Sequence, residues 1–138
     1  EVVDGSHRKM VEQIERAGGR VDAVIYCPHT PEQGCDCRKP RPGLLYRAAR
    51  EYSIALERSY LIGDAITDIA AGQAAGCRTI LVLTGRGWRQ FISGRARQEK
   101  GYLVRWDLKQ AVKTILKEER NPVRLVVPGA SEHLPRAT

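Results

Sequence analysis

Apolar positions along the chain switch between a helical and an alternating period, and the switches predict the elements. Met10, Val11, Ile14 and Ala17 recur at helical spacing between charges, which predicts a helix over Ser6–Ala17 stopped by Gly18-Gly19. VDAVIYC, from Val21 to Cys27, reads as a buried strand. Pro42-Gly43 opens a second helix whose apolar stripe is Leu44, Leu45, Ala48, Ala49 and Tyr52. A short strand from Ser59 ends in Gly63-Asp64, and a short helix over Asp68–Ala75 is closed by Gly76. RTILVLTG is nearly continuous in apolar residues, so that strand should be covered on both faces. YLVRW predicts a further strand, and DLKQAVKTILKEER an amphipathic helix with Leu108, Val112, Ile115 and Leu116 on one face. After Asn121 three prolines and no clear period predict a loosely ordered tail, 121–138, with a short strand at VRLVV.

Strands alternating with helices imply an α/β fold with a parallel sheet, whose ligand residues lie in loops at the carboxyl ends of the strands. Two loops of that kind carry the unusual chemistry. One leaves the strand ending at Cys27; the other begins at Gly63-Asp64.

The first loop, CPHTPEQGCDCRKPRPG, holds three of the four cysteines. That crowding does not resemble a disulfide framework, and no secretory signal is visible, which points to a reducing, cytoplasmic setting. Cys27 and His29 are two apart, as are Cys35 and Cys37, so in extended chain each pair projects to one side. A Cys₃His set is a complete tetrahedral sphere for zinc, with no position open for water, hence structural rather than catalytic. A disulfide or scattered free thiols are the alternatives. Arg38 and Lys39 follow at once, and a metal-pinned loop would fix both cations. Lysine suits a phosphoryl oxygen as a point charge, and arginine can grip oxygens in pairs. Two solvated surface cations are the plain alternative.

In the second loop, Asp64 follows a buried strand, with Gly63 allowing close approach. A carboxylate there suits Mg²⁺, which takes oxygen ligands and keeps waters and substrate phosphate. A turn residue is the plain alternative. Asp68 reads first as the N-cap of the next helix, and otherwise as a second ligand or outer partner.

C-x-H, C-x-C-R-K-P and G-D-x-x-x-D, in this order, resemble the haloacid-dehalogenase-like phosphatases, and within them the subgroup of heptose-bisphosphate and histidinol-phosphate phosphatases. The resemblance runs from about Ser6 to Leu116. It implies a Rossmann-like parallel sheet with flanking helices. It also implies a structural zinc on Cys27, His29, Cys35 and Cys37, and a Mg²⁺ on Asp64. Lys39 would match the lysine that stabilises the phosphoryl group and Arg38 the arginine that recognises substrate. The activity implied is Mg²⁺-dependent hydrolysis of a small phosphorylated metabolite: heptose bisphosphate first, histidinol phosphate as the alternative.

The family's nucleophile is the first aspartate of a D-x-D motif, and this sequence contains none. The expectation is therefore a fold incomplete at its amino end. Residues 1–120 would form the carboxyl-terminal part of a phosphatase core, inactive alone and partnered by an amino-terminal segment of the same protein. Composition bounds the alternatives. A chain of 138 residues suits one domain, no apolar run reaches the length of a bilayer span, and the net charge of +7 favours anionic partners. Arg86, Arg89, Arg95, Arg97 and Lys100 around Trp88 and Phe91 keep a nucleic-acid-binding module in view, though no recognised binding motif accompanies them. A catalytically dead, zinc-stabilised interaction domain is the other reading. Cys77, alone at a strand entrance, is expected to pack as a small hydrophobe.

Overall fold

The computed structural model describes residues 2–25, 34–93, 96 and 98–120, the side chains of residues 2–7 excepted. In chain order the elements are α1 (Val2–Arg16), α2 (Gly43–Tyr52), a 3₁₀ turn (Leu56–Arg58), β1 (Tyr60–Gly63), α3 (Ile66–Ala74), β2 (Arg78–Val82), α4 (Gly87–Ile92), β3 (Leu103–Arg105) and α5 (Leu108–Glu119). The three strands form a parallel sheet in the order β1-β2-β3, with Ile62 beside Ile80 and Val82 beside Arg105.

β2 is the centre of this sheet because its side chains serve two cores. Leu81 points to one face, where Ile66 and Ile69 of α3 and Ala96 meet it, with Tyr102 packed alongside. Ile80 and Val82 point to the other, against Ala111 of α5 and the half-buried Tyr60, Ile62, Leu103 and Ile115. Alternate residues of one strand thus anchor opposite layers. This matches the expectation for RTILVLTG, and burial of Cys77 matches its reading as a small hydrophobe; burial raises its thiol pKa.

Four expectations are corrected. Val21–Ile25 forms no strand, since a strand exists by pairing and no described strand runs beside this segment; Cys27 lies outside the described residues. The first helix is Val2–Arg16, not Ser6–Ala17. On α2, Tyr52 is exposed rather than part of the covered stripe. On α5 the sheet-facing residues are Ala111, Ile115 and Glu118, while Leu108, Val112 and Leu116 are exposed. Small Ala111 lets the helix approach Ile80 and Val82 closely. Glu118 is drawn inward by two partners, the Arg78 guanidinium at 2.5 Å and the Tyr60 hydroxyl at 2.8 Å, both donating to it. The tail 121–138 and its VRLVV strand lie outside the described residues.

Burial and the carboxylate of Glu118 together push the Tyr60 phenol above its usual 10.0. Below about pH 10 the phenol is protonated in folded and unfolded chain alike and adds no pH dependence. As pH climbs past about 10, the unfolded chain ionises its tyrosine and the folded chain does not, so stability falls. Tyr60→Phe should therefore flatten the stability loss above about pH 10, as read by urea unfolding at several pH values. An unchanged alkaline slope would show that this phenol does not titrate with unfolding.

Candidate active site at the carboxyl end of β1

β1 ends at Gly63, and the chain turns through Asp64 and Ala65 into α3. Ala65, in extended conformation, is the N-cap, and its side chain offers no hydrogen bond. Asp68 is therefore not the cap. Its own N–H donates to the Ala65 carbonyl at 3.0 Å, which puts it inside the first turn, where negative charge is favoured by the helix dipole. Its carboxylate is committed elsewhere. Lys39, 29 residues earlier, donates from Nζ to Asp68 Oδ1. Asp68 is only 8 % exposed, so the pair supplies a counter-charge to a carboxylate removed from water.

Gly63 is what lets that carboxylate sit there. A Cβ on residue 63 would lie 2.5 Å from both Cβ and Oδ2 of Asp68. The close approach that Gly63 permits is thus of Asp68 to the strand end.

Asp64 is placed differently. Its Oδ2 accepts from the Arg86 backbone N–H at 3.1 Å, and the Arg86 guanidinium stands 3.6 Å from Oδ1. Gly85, at φ +60°, is needed on both counts: a Cβ there would meet Asp64 Oδ2 at 2.6 Å. Arg86 follows β2, so two neighbouring strand ends converge on Asp64. Sequence reading left Arg86 in a diffuse basic patch. The signal that could have found it is a glycine just before a cation at the end of a buried strand.

The Cys35–Arg41 segment is tied down locally. Arg41 Nη1 donates to the carbonyls of Gly34 (3.1 Å) and Cys35 (2.8 Å), and the Gly43 N–H donates to the Asp36 carbonyl at 3.0 Å. Gly34, Cys35, Arg38, Lys39, Pro40 and Arg41 line an open depression of about 180 Å³. Arg38 is exposed at its rim. Tyr46 of α2 donates to the Ala74 carbonyl at 3.1 Å, holding this segment's helix against α3. Cys35 and Cys37 are half-buried here, whereas Cys27 and His29 lie outside the described residues. Among the described residues no three His, Cys, Asp or Glu side chains gather as a metal site.

The structure thus joins Lys39 to Asp68 and Asp64 to Arg86, at one edge of the sheet. Oxygen ligands, an ammonium group and guanidinium groups around a strand end can hold a divalent cation and an anionic oxygen cluster.

Comparison with known proteins agrees with this arrangement. The sequence model described as HAD-hydrolase-like matches residues 36–111. The chain is 41 % identical over 88 residues to a D-glycero-beta-D-manno-heptose-1,7-bisphosphate 7-phosphatase of Pseudomonas aeruginosa, covering 64 % of this chain and 49 % of that one. It is 38 % identical over 112 residues to the enzyme of the same name from Bordetella bronchiseptica, covering 81 % and 62 %. The crystal structure of D,D-heptose 1.7-bisphosphate phosphatase from B. bronchiseptica, complexed with magnesium and phosphate, superposes with a TM-score of 0.74 at 36 % identity, over 84 % of this chain and 64 % of that chain. The chain spans about half the length of the first curated relatives it matches.

Because Gly63 makes room for Asp68, Gly63→Ala should push the carboxylate off Lys39 and cost about 1–3 kcal/mol. Chemical denaturation measures this. Stability within a few tenths of the parent would mean that Asp68 can be accommodated elsewhere. Lys39→Ala should cost less, about 1 kcal/mol, because the lysine is half exposed and water can partly replace it.

Proposed function

The chain belongs to the HAD-hydrolase-like family, and on that premise we propose that the whole protein hydrolyses a small phosphate monoester with Mg²⁺. Heptose 1,7-bisphosphate, cleaved at the 7-phosphate, is the leading substrate and histidinol phosphate the alternative. The observation that carries this is the convergence of Lys39, Asp68, Asp64 and Arg86 at the carboxyl end of β1.

The residues fit a Mg²⁺ ion. Asp64 offers carboxylate oxygens at a partly open strand end, and Mg²⁺ prefers oxygen donors with water completing its shell. When bound, such an ion neutralises charge on phosphoryl oxygens. The chain's own groups supply the rest. Lys39, held by Asp68, presents an ammonium group whose direction is fixed before substrate arrives. Arg38, exposed beside it, is free to grip oxygens on the part of the substrate away from the reacting phosphoryl group.

Zinc belongs to the same reading. Cys27, His29, Cys35 and Cys37 would hold it as a structural ion. The ties from Arg41 and Gly43 to the carbonyls of 34–36 support the idea that this loop is built to be rigid. Residues 1–120 would serve as the carboxyl-terminal part of the phosphatase core. The attacking aspartate of the family has no counterpart in this sequence. Among the described strands, β1 pairs on one side only, which leaves an edge that an additional strand of the same protein can extend. A cytoplasmic setting fits thiols kept reduced for metal. None of the described helices is long and apolar enough to cross a membrane.

In the full-length parent, Lys39→Ala and Asp64→Asn should each slow turnover by about 10²–10³. Arg38→Ala should hurt the true substrate more than a generic aryl phosphate. Near-normal turnover of the Asp64 variant would remove the metal role from Asp64, and equal losses on both substrates would remove the recognition role from Arg38. The 138-residue chain alone should show no turnover. Ordinary turnover by it would place the nucleophile within these residues.

Elemental analysis should find one zinc per chain after dialysis, and Cys35→Ser should lose both the metal and heat stability. A metal-free chain with parent-like melting would remove zinc from the reading.

A further inference from the structure

Trp88 and Trp106 are the chain's two tryptophans, and neither is buried. Trp88 stands just inside α4, after the carboxyl end of β2, and Trp106 directly follows β3. Their rings lie nearly parallel, 9° apart in plane with centroids 6.4 Å apart, yet remain 51 % and 63 % exposed. Phe91 extends the group, its ring centroid 6.4 Å from that of Trp88. Exposed aromatic surface of this extent is costly for a fold to leave in water and marks contact sites.

The position identifies what it contacts. The phosphoryl-binding groups sit at the end of β1, and the indoles at the ends of β2 and β3. Strands stand about 4.8 Å apart, so the shelf begins one strand from Asp64 and ends about 10 Å from it. Arg86 joins the two regions: its backbone and guanidinium meet Asp64, and it lies two residues before Trp88. A molecule whose phosphate is held at β1 would lay its remaining atoms along this edge.

We infer that Trp88 and Trp106 form the recognition shelf for the non-reacting carbon skeleton of a phosphorylated sugar, with Arg86 and the exposed Arg89 facing its oxygens. This rests on the phosphatase reading above. Indole faces are electron-rich, and the hydrogens on the oxygenated carbons of a sugar ring are electron-poor, so ring face meets ring face. The hydroxyl groups at the sugar's rim stay in water or reach the guanidinium groups. A nucleic-acid strand fits less well. Asp64 lies at one end of the shelf and Asp107, the N-cap of α5, at the other, and both carboxylates oppose a continuous phosphodiester backbone. A small ester with separated phosphates avoids both.

With no other tryptophan in the chain, tryptophan emission excited at the red edge, where the five tyrosines do not absorb, reports the shelf alone. We would titrate the 138-residue chain, with Mg²⁺ present, with fructose 1,6-bisphosphate, inorganic phosphate and oligothymidylate, following emission and heat together. The bisphosphate should change the emission saturably, and inorganic phosphate should bind without doing so. Trp106→Ala should weaken bisphosphate binding about three- to tenfold and leave inorganic phosphate unchanged, while Trp106→Phe should keep most of the affinity. Equal bisphosphate affinity in parent and Trp106→Ala, with phosphate still bound, would overturn the shelf and leave the phosphatase reading standing. Phosphate binding that is absent, or indifferent to Lys39→Ala, would overturn that reading and the shelf with it. A stronger emission response to oligothymidylate than to the bisphosphate would assign the indoles to nucleic acid instead.

Discussion

The arrangement at the sheet edge depends on one ion pair, Lys39 with Asp68. A carboxylate removed from water is expensive unless a cation and hydrogen bonds replace the solvent. Asp68 is buried because α3 docks its first turn against the end of β1, and Gly63 leaves the space. Lys39, itself half exposed, supplies that cation. The consequence runs outward from there. The loop that carries Lys39 also carries Arg38, Cys35 and Cys37, and the Lys39–Asp68 pair ties that loop to the sheet end. Tyr46 on Ala74 adds a second tie between the same two parts of the chain. Holding a loop in one conformation costs conformational entropy, which these ties offset.

This constraint also sets the field at the strand end. Arg38, Lys39, Arg41 and Arg86 outnumber Asp64 and Asp68 there, so the edge stays positive after both carboxylates are paired. The chain's excess of basic residues points the same way, but net charge alone cannot place a site. Placement comes from the parallel sheet. Its strands all deliver their carboxyl ends to one edge, and residues far apart in sequence, at 39, 64, 68 and 86, arrive there together.

Much of this was legible in the sequence. RTILVLTG declared a doubly covered strand because neither face could tolerate water. Gly63-Asp64 declared a turn at a strand end. What was not legible required knowledge of neighbours. Whether Asp68 caps α3 or pairs with Lys39 is decided by a residue 29 positions away. On α5, Ile115 meets the sheet as its periodicity predicts, but Leu108, Val112 and Leu116 were misplaced because they outweigh Ala111 in any hydrophobic count. The packing instead selects the residue small enough to let the helix in. Val21–Ile25 has the composition of a strand, but composition cannot supply the partner that would make it one. Arg86 was counted with the cations of its own segment, although its contacts are with the preceding strand end.

Two aspartates four positions apart thus come to opposite uses. Asp68 points inward, and burial obliges it to keep a fixed cation. Asp64 remains partly open, and its partners are a backbone N–H and a guanidinium group standing off at 3.6 Å, in reach of solvent. A contact of that length in high dielectric is weak, so a divalent ion bringing twice the charge to the same oxygens would displace the arginine at little cost. Identical side chains, one in the turn after β1 and one in the first turn of α3, are differentiated by burial and by their partners, one as scaffold for a lysine and the other with its oxygens partly open to solvent.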